Sequence, residues 1–179
     1  ILFLSDSPLK GAQRMLQLIK TRRSIRKFTG QAVEDAMIDQ IIEAGTWAPS
    51  GLNNQPWKVA VIRDQATIKA IALLTRYARI IEEAPVLLAP FLDTAASYDR
   101  TKDLQAMGAF IQNMLLAIHA LGLGGVWLGE ILKNKQKVAR IVNAPDDLEL
   151  MAVIALGHPA EPGGTGSRKS VKDVVFYQG

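Results

Sequence analysis

The sequence predicts an α+β fold in which helices cover both faces of a mixed β-sheet. Amphipathic helical patterns alternate with short apolar runs typical of strands along the 179 residues. One segment, residues 104–121, is apolar on nearly every side, which indicates a helix that is buried on every side. The glycines at 124–129 follow a helix and open an extended run, whereas the dinucleotide fingerprint places them between a strand and a helix. A Rossmann domain is therefore disfavoured, and a mixed-sheet sandwich is favoured.

The individual elements follow from hydrophobic periodicity. Residues 15–20 are predicted to form a helix that leads into a basic tract. Residues 34–47 form an amphipathic helix with its isoleucines on one stripe and two acidic residues at its start. The other predicted elements are a strand at 57–63, a helix at 65–77, buried strands at 85–92 and 151–157, and a helix at 135–142. No repeat or linker divides the chain, so residues 1–179 are expected to form a single domain.

The apolar segment at 104–121 is predicted to be a central dimerisation helix. Gln105, Gln112 and His119 form a narrow polar seam at heptad spacing, with Asn113 beside it. A membrane span needs about 20 predominantly apolar residues, and this segment is shorter and interrupted. One small domain can hardly surround such a helix, so a subunit interface is expected to complete its burial. A core helix of a monomer is the alternative.

The composition excludes several kinds of site. Hydrophobic residues make up 49% of the chain and cysteine is absent, so disulfides, thiolate nucleophiles and cysteine-ligated metals are excluded. No metal site is expected, because His119 and His158 lie far apart and neither has a carboxylate at ligand spacing. A cytoplasmic location is expected, because residues 1–4 are too short for a signal peptide. The first residue is not Met, which suggests that the natural start lies elsewhere.

The net charge of +4 raises the question of nucleic-acid binding. The cationic residues are not gathered with aromatic residues on one face, and no nucleic-acid module signature is present, so this function is disfavoured. Part of the excess lies in the basic tract, where a bound phosphate would offset it. The remaining cations, including Lys133, Lys135 and Lys137, are expected on a solvated surface.

The basic tract, residues 22–28, reads Arg-Arg-Ser-Ile-Arg-Lys-Phe. In an extended chain, Arg22, Ser24 and Arg26 project to one side, with Arg23 and Ile25 on the other. Two guanidinium groups and a hydroxyl are donors that suit a dianionic phosphate. The alternatives for such a short basic run are a solvated helix end, or a proteolytic or localisation signal.

The amide loop, residues 48–57, reads Ala-Pro-Ser-Gly-Leu-Asn-Asn-Gln-Pro-Trp. Gly51 permits a backbone turn, and Asn53, Asn54 and Gln55 supply amide groups. Such groups match the polar edge of an isoalloxazine ring, which has two carbonyls and an N–H. The alternative is an ordinary surface turn. A turn alone does not account for Gln-Pro-Trp running directly into a strand, which favours a binding site.

Two further segments are candidate cofactor contacts. The glycines at 124–129 allow bare backbone to approach a ring, where N–H groups would stabilise a reduced, anionic flavin. Trp127 is interpreted either as a residue near the ring or as a buried core tryptophan. Near the C-terminus, Arg168 or Lys169 would close over the phosphate, and the alternative is a disordered basic tail.

These motifs, taken in order, resemble the FMN-dependent nitroreductase family over about residues 18–175. The resemblance also includes residues 111–124 and the run Ala-Leu-Gly-His-Pro at 155–159. It implies an α+β homodimer with two FMN sites at the subunit interface. It leaves the roof of the substrate site undefined, because the segment between Arg76 and Asp103 lacks a long lid insertion.

The resemblance also implies a role for each motif residue. The phosphate, ribityl chain and pyrimidine edge would be held by Arg22, Arg23, Ser24 and Arg26, with Arg168 assisting at the phosphate. The other subunit would contribute Pro49, Ser50, Gly51 and Asn53, with Gln55 nearby. The stretch from Gly125 to Gly129, including Trp127 and Leu128, would line the ring near N5.

The function implied by this resemblance is that of an FMN-dependent NAD(P)H oxidoreductase. Hydride from NADH or NADPH would pass through flavin N5 to a nitro, quinone or enone acceptor, with no catalytic side chain assigned. One alternative is an enzyme of the same superfamily that uses reduced flavin with oxygen or removes a halogen. The other is a flavin-binding module without turnover. Neither nucleic acid nor a membrane is expected as a partner.

Overall fold

The computed structural model describes residues 8–179, so the apolar residues 1–4 lie outside the described part. The helices are α1 (Pro8–Thr21), α2 (Asp35–Thr46), α3 (Gln65–Ala72), α4 (Ala78–Glu83), α5 (Arg100–Ala120), α6 (Lys135–Ile141) and α7 (Val171–Val174). The strands are β1 (Trp57–Ile62), β2 (Val86–Asp93), β3 (Gly124–Leu128), β4 (Leu148–Leu150) and β5 (Val153–Gly157). Short 3₁₀ helices span Gly51–Asn53 and Glu130–Asn134. None of the helices in this range combines the length and apolarity that a bilayer crossing requires.

The strands form one sheet in the order β1-β2-β5-β3. On the edge of β2 opposite β1, β5 pairs with residues 86–88 and β4 with residues 91–93. All of these strand pairs are antiparallel, and the parallel component of the sheet is a single bridge between Ser24 and Gly125. The predicted α+β class is confirmed.

Both faces of the sheet are buried, and β2 shows why. Its alternate side chains belong to two separate apolar cores, because successive residues of a strand point to opposite faces. Val86, Leu88 and Leu92 pack with α2 and α5, whereas Leu87 and Phe91 pack with α3, α4 and α6. Helices therefore cover both faces, as the near-continuous apolar run at 85–92 predicts.

Helix α2 packs closely against α5 at a glycine. A Cβ atom added to Gly45 would lie 2.8 Å from a ring carbon of Phe110 and 2.9 Å from Met114. Phe110 is fully buried and stacks on Trp57, with ring centroids 5.0 Å apart and an interplanar angle of 17°. Gly45 thus sets the distance between the two helices over the first strand of the sheet.

Helix α5 is not enclosed on every side within one chain. Its inner face, which includes Met107 and Met114, is fully buried. Its other face carries Leu104, Gln105 and Gln112, which are exposed. Full burial of this helix therefore needs a second molecule, and its role in dimerisation stays a prediction.

We expect Gly45→Ala to lower the free energy of unfolding by about 1–3 kcal/mol, because the new methyl group overpacks the contact with Phe110. Chemical denaturation followed by tryptophan fluorescence measures this change. Gly11→Ala is the matched control, since a Cβ at Gly11 in α1 meets nothing within 4 Å. It should leave stability unchanged or raise it by about 0.5–1 kcal/mol. Equal losses in both variants would show that helix packing at Gly45 is not the cause.

Candidate cofactor site

The basic tract lies along the edge of the sheet beside β3. Ser24 forms a parallel bridge with Gly125, and the backbone N–H of Ile25 donates to the carbonyl of Gly125 at 3.1 Å. A Cβ at Gly124 would lie 2.7 Å from the Ile25 side chain, so this close approach requires glycine. The tract then pairs through Phe28 with Pro159. Two of the predicted cofactor segments, the tract and the glycine-rich strand, are therefore adjacent.

Three arginines gather at the start of this tract. A Cβ at Gly166 would lie 3.1 Å from Arg168 Nη1 and 3.3 Å from Arg23 Nε, which places both guanidinium groups over the same glycine. Burial lowers the pKa of Arg22, and the charges of Arg168 and Arg23 lower it further. Within residues 8–179 none of the three has a carboxylate partner. The cluster is therefore short of negative charge, which a bound phosphate would supply.

His119 extends this cationic end and was not among the predicted site residues. Its Nε2 lies 2.9 Å from Thr21 Oγ1. Burial lowers its pKa, followed by the charges of Arg22 and Arg23, so the imidazole is neutral at pH 7. A cavity of about 560 Å³ is lined by Thr21, Arg23, His119 and Gly163 among others. In the sequence, His119 belongs to the polar seam of α5, which predicts a position at a subunit interface. Its position beside the arginines becomes apparent only from its contact with Thr21 of α1.

The other end of the tract reaches a recess beside β3. This recess, of about 190 Å³, is lined by Arg26, Tyr77, Trp127, Leu128 and Gly129 together with Val126 and Glu130. Trp127 is 40% exposed, so it is not the buried core tryptophan of the alternative interpretation. Arg26 therefore lies with Trp127 rather than with the arginine cluster. The tract runs from a cationic end to an aromatic and glycine-lined end.

Tyr77 in this recess could not be found from the sequence. It follows a break between α3 and α4 that the helical pattern at 65–77 conceals. At the break, the Thr75 hydroxyl donates to Glu130 at 2.5 Å and accepts from the Tyr77 backbone N–H at 3.3 Å. Side chain–backbone bonds of this kind compete with the helix.

The amide loop has a tightly constrained backbone. A Cβ at Gly51 would lie 1.7 Å from the hydroxyl oxygen of Tyr98, so any other residue there would displace the Tyr98 side chain. Leu52, Asn53 and Gln55 have φ values of 55°, 54° and 47°, which place them in the left-handed region. The Gln55 backbone N–H donates to Ser50 Oγ at 3.1 Å. Leu52 at the tip is 85% exposed.

Within one chain the amide loop and the basic tract do not meet. Pro49, Ser50 and Gly51 line a cavity of about 320 Å³ against the first half of α5, including Gln105 and Ala109. At the other end of α5, His119 contacts Thr21, directly before the basic tract, and lines a cavity together with Arg23 and Ile25. A helix rises about 1.5 Å per residue, so the two contacts on α5 are roughly 20 Å apart. The two segments are therefore well separated within one chain.

A buried carboxylate, Asp103, holds the amide loop in place. It is fully buried at the start of α5 and accepts hydrogen bonds from Asn54 Nδ2 at 2.8 Å and Ser97 Oγ at 2.6 Å. The backbone N–H groups of Tyr98 and Asp99 donate to it at 3.1 and 3.2 Å. Burial alone would raise the pKa of Asp103, but these hydrogen bonds outweigh it and the pKa is lowered.

This bridge assigns Asn54 a structural role. Its Nδ2 also donates to the Ala96 carbonyl at 3.1 Å, so the amide ties the loop to the segment before α5. Its Oδ1 is buried without a hydrogen-bond partner in the described structure. The sequence grouped Asn54 with the ring-binding amides, whereas its donors face Asp103 and Ala96. Asp103, an acidic residue in the first turn of a largely apolar helix, is the feature of the sequence that could have indicated this structural contact.

The residues at these surfaces fit an FMN molecule. The clustered Arg22, Arg23 and Arg168 suit a dianionic phosphate, since they have no carboxylate among the described residues. Gly129 and the exposed Trp127 leave backbone and an aromatic face open to a flat ring. Among residues 8–179, no group of three or more His, Asp or Glu side chains is arranged to hold a metal ion.

Comparison with known proteins supports the same assignment. The sequence matches the nitroreductase family over residues 19–82 and 72–158. The chain belongs to the nitroreductase family. This confirms the resemblance that the ordered motifs predicted.

Three relatives illustrate the match. A Desulfovibrio desulfuricans protein described as a nitroreductase, solved in complex with FMN, is 44% identical, with a TM-score of 0.87 over 98% of this chain and 99% of that one. A Methanothermobacter thermautotrophicus protein, described as an NADH dehydrogenase/NAD(P)H nitroreductase, is 34% identical over 84% of this chain and 80% of the relative. The Vibrio harveyi NADPH:FMN oxidoreductase complexed with NAD+ is 25% identical, with a TM-score of 0.82 over 92% of this chain and 78% of that one.

We expect Asp103→Asn to destabilise the protein by about 2–3 kcal/mol, because an amide turns donors toward groups that already donate. Asp39→Asn is the control, since Asp39 is exposed on α2. Urea denaturation at pH 7 measures both changes. An Asp103→Asn variant as stable as the control would contradict the bridging role.

The same bridge predicts a pH dependence. The folded-state pKa of Asp103 lies below its unfolded value of about 3.9, so its stabilising contribution is present above that value. It is lost as the pH falls through the folded-state pKa. The stability difference between the native protein and Asp103→Asn should therefore narrow below about pH 4. A difference that stays constant from pH 7 to pH 3 would show that the carboxylate charge is not responsible.

Proposed function

We propose that this protein is an FMN-dependent NAD(P)H oxidoreductase that reduces nitro, quinone or enone acceptors by a ping-pong mechanism. The observation that carries the proposal is the 44% identity, over 98% of the chain, to a nitroreductase-like protein solved with FMN. The uncompensated arginine cluster at the sheet edge supports it independently. Similarity to a Vibrio harveyi oxidoreductase complexed with NAD+ supports a nicotinamide donor.

Each part of the site has a defined task in this proposal. Arg22, Arg23 and Arg168 bind the phosphate through charge-assisted hydrogen bonds. Ser24 and Arg26 continue along the tract toward the pyrimidine edge. The glycine-rich end of β3 presents backbone N–H groups near N5, where they stabilise negative charge. When bound, FMN supplies hydride transfer at N5.

No side chain of this chain is required to react. The residues would bind and orient the cofactor, which would exchange hydride with the donor and the acceptor, and solvent would supply protons. Trp127, which is 40% exposed beside Gly129, would pack near the ring and keep water from its edge.

The second half of the site comes from a partner copy. The amide loop lies near the start of α5, and Arg23 lines a cavity with His119 near its end, so an antiparallel pairing of two α5 helices would bring one chain's loop to the other chain's arginines. Pro49, Ser50, Gly51, Asn53 and Gln55 would then reach the FMN of the partner.

The exposed apolar surface supports this homodimer. Large apolar side chains are exposed on α1 and near the loop, and they are Leu9, Met15, Leu16, Ile19, Trp47, Leu52 and Leu104. Trp47 is 81% exposed, which is unusual for an isolated surface. Dimerisation would bury this surface. Each subunit would then consist of one nitroreductase-like domain, formed by residues 1–179. A cytoplasmic location fits the lack of cysteine in the sequence.

Purification and a visible spectrum test the proposal first. We expect flavin absorption bands in the purified or FMN-reconstituted protein and their rapid bleaching on mixing with NADH or NADPH in a stopped-flow instrument. Arg22→Gln should weaken FMN binding about tenfold or more, since it removes a phosphate contact. Arg79→Gln is the matched control, because Arg79 is an exposed arginine paired with Glu83 on α4.

Each alternative has a distinct outcome in this test. A colourless protein that ignores added FMN would overturn the proposal. Tight FMN binding with no faster oxidation of NAD(P)H than by free flavin would indicate a binding module. Product formation that requires oxygen, or release of halide, would indicate the other branch of the superfamily.

Mixing two defective variants tests the shared site. If each site combines arginines of one chain with the loop of the other, Arg22→Gln and Asn53→Asp subunits refolded together form heterodimers with one native site. About a quarter of native activity should return, because half the dimers are mixed and each has one intact site. Asn53→Asp suits this test because aspartate tolerates the left-handed φ of 54°.

Two controls accompany this mixture. Sedimentation should show dimers in every sample, and each variant refolded alone should stay defective. If both variants are inactive and their mixture recovers nothing while mixed dimers form, the loop and the arginines act within one chain.

A further inference from the structure

A cavity outside the predicted flavin site has the character of a second ligand site. Its volume is about 600 Å³, and none of the predicted cofactor residues lines it. The walls come from Thr94 just after β2, from Arg100 at the start of α5, from helix α6, and from residues 144–146 and 148–150. Small-molecule sites are commonly about 300–1,000 Å³. The sequence placed Lys135, which lines this cavity, on a solvated surface.

A carboxylate organises the polar wall of the cavity. Glu149 accepts from Arg100 at 2.7 and 3.1 Å and from Lys135 Nζ at 2.6 Å. The hydrogen bond from Arg100, reinforced by Lys135 against the opposing effect of burial, lowers the pKa of Glu149 to about 2. The carboxylate is therefore charged at neutral pH, and it holds both cations at the cavity wall.

The lining retains an excess of positive charge. Arg140 also lines the cavity, is exposed, and has no carboxylate partner among residues 8–179. The lining contains three cations and two acidic groups, Asp146 and Glu149, which leaves one net positive charge. Glu149 occupies only some of the N–H groups of Arg100 and Lys135, so donors remain available in addition to those of Arg140.

The uncharged part of the lining is mostly apolar. It consists of Ala139, Ala144, Pro145, Leu148 and Leu150, together with the polar residues Thr94 and Gln136. Leu150 is buried and belongs to the core beneath the sheet, so this surface is rigid. A cavity lined by both apolar and cationic side chains favours a ligand with an apolar body and a charged end.

We propose that this cavity binds a small organic monoanion, such as an aromatic carboxylate, with its charge toward Arg140 and its ring against Ala139 and Leu148. A single net positive charge favours a monoanion. A polyanion such as a nucleotide would meet the charged carboxylates of Glu149 and Asp146. The ion pairs of Glu149 with Arg100 and Lys135 alone would indicate only a structural role. A structural role does not require the adjacent cavity or a third cation, Arg140, without a carboxylate partner, and these two features favour ligand binding.

The test uses 2-naphthoate and its uncharged match, 2-naphthamide, in calorimetric titrations of the FMN-loaded protein. We expect naphthoate to bind and naphthamide to bind about tenfold more weakly, since one charge-assisted contact is lost. Arg140→Gln should weaken naphthoate binding about tenfold. Lys137→Gln is the matched control, because Lys137 is exposed on the same helix and does not line the cavity.

A blocking variant keeps the proposal falsifiable without relying on charge. Ala139→Phe fills the apolar side and should abolish naphthoate binding while the flavin spectrum and melting temperature persist. The proposal is overturned if 2-naphthoate does not bind at millimolar concentration or if the amide binds equally well. It is also overturned if Lys137→Gln matches the loss in Arg140→Gln. Binding that perturbs the flavin spectrum and survives both Arg140→Gln and Ala139→Phe would place the ligand on the flavin instead.

Discussion

The backbone pairing between the basic tract and β3 is the interaction on which the site depends. Ile25 donates to Gly125, and the missing side chain of Gly124 lets the two segments approach. This pairing places the arginines of the tract at a sheet edge, where Arg22 and Arg23 are partly buried. Arg22, Arg23 and Arg168 repel one another, and no carboxylate among the described residues neutralises them. The backbone pairing therefore helps to hold Arg22 and Arg23 in place despite this repulsion. A bound anion would offset their mutual repulsion.

Helix α5 is the second organising element, because its length separates the two segments that are proposed to form the site. It has 21 residues, with the amide loop packed near its start and the basic tract near its end. Asp103 joins the start of the helix to the loop through Asn54, so the loop is held by a rigid element. A second copy of the same helix, run in the opposite direction, supplies a geometric reason for a shared site.

The distinction between local and tertiary information explains which expectations succeeded. The alternating cores of β2 and the stripe of α2 follow from periodicity, because a strand repeats every two residues and a helix every 3.6. The helix expected at 65–77 instead breaks after Ala72, since Thr75 bonds to Glu130, far away in sequence. Asn54 looked like a ring contact because its amide is indistinguishable, in sequence, from those of Asn53 and Gln55.

The sequence by itself determined the α+β class, the family, and the segments that carry donors for a phosphate and a ring. These are properties of residue type and spacing. Only the tertiary structure showed that Arg26 lies with Trp127 while Arg22 and Arg23 lie with Arg168, and that Glu149 organises a separate cavity. Such neighbours are brought together by strand register and helix packing, which depend on contacts between distant parts of the chain.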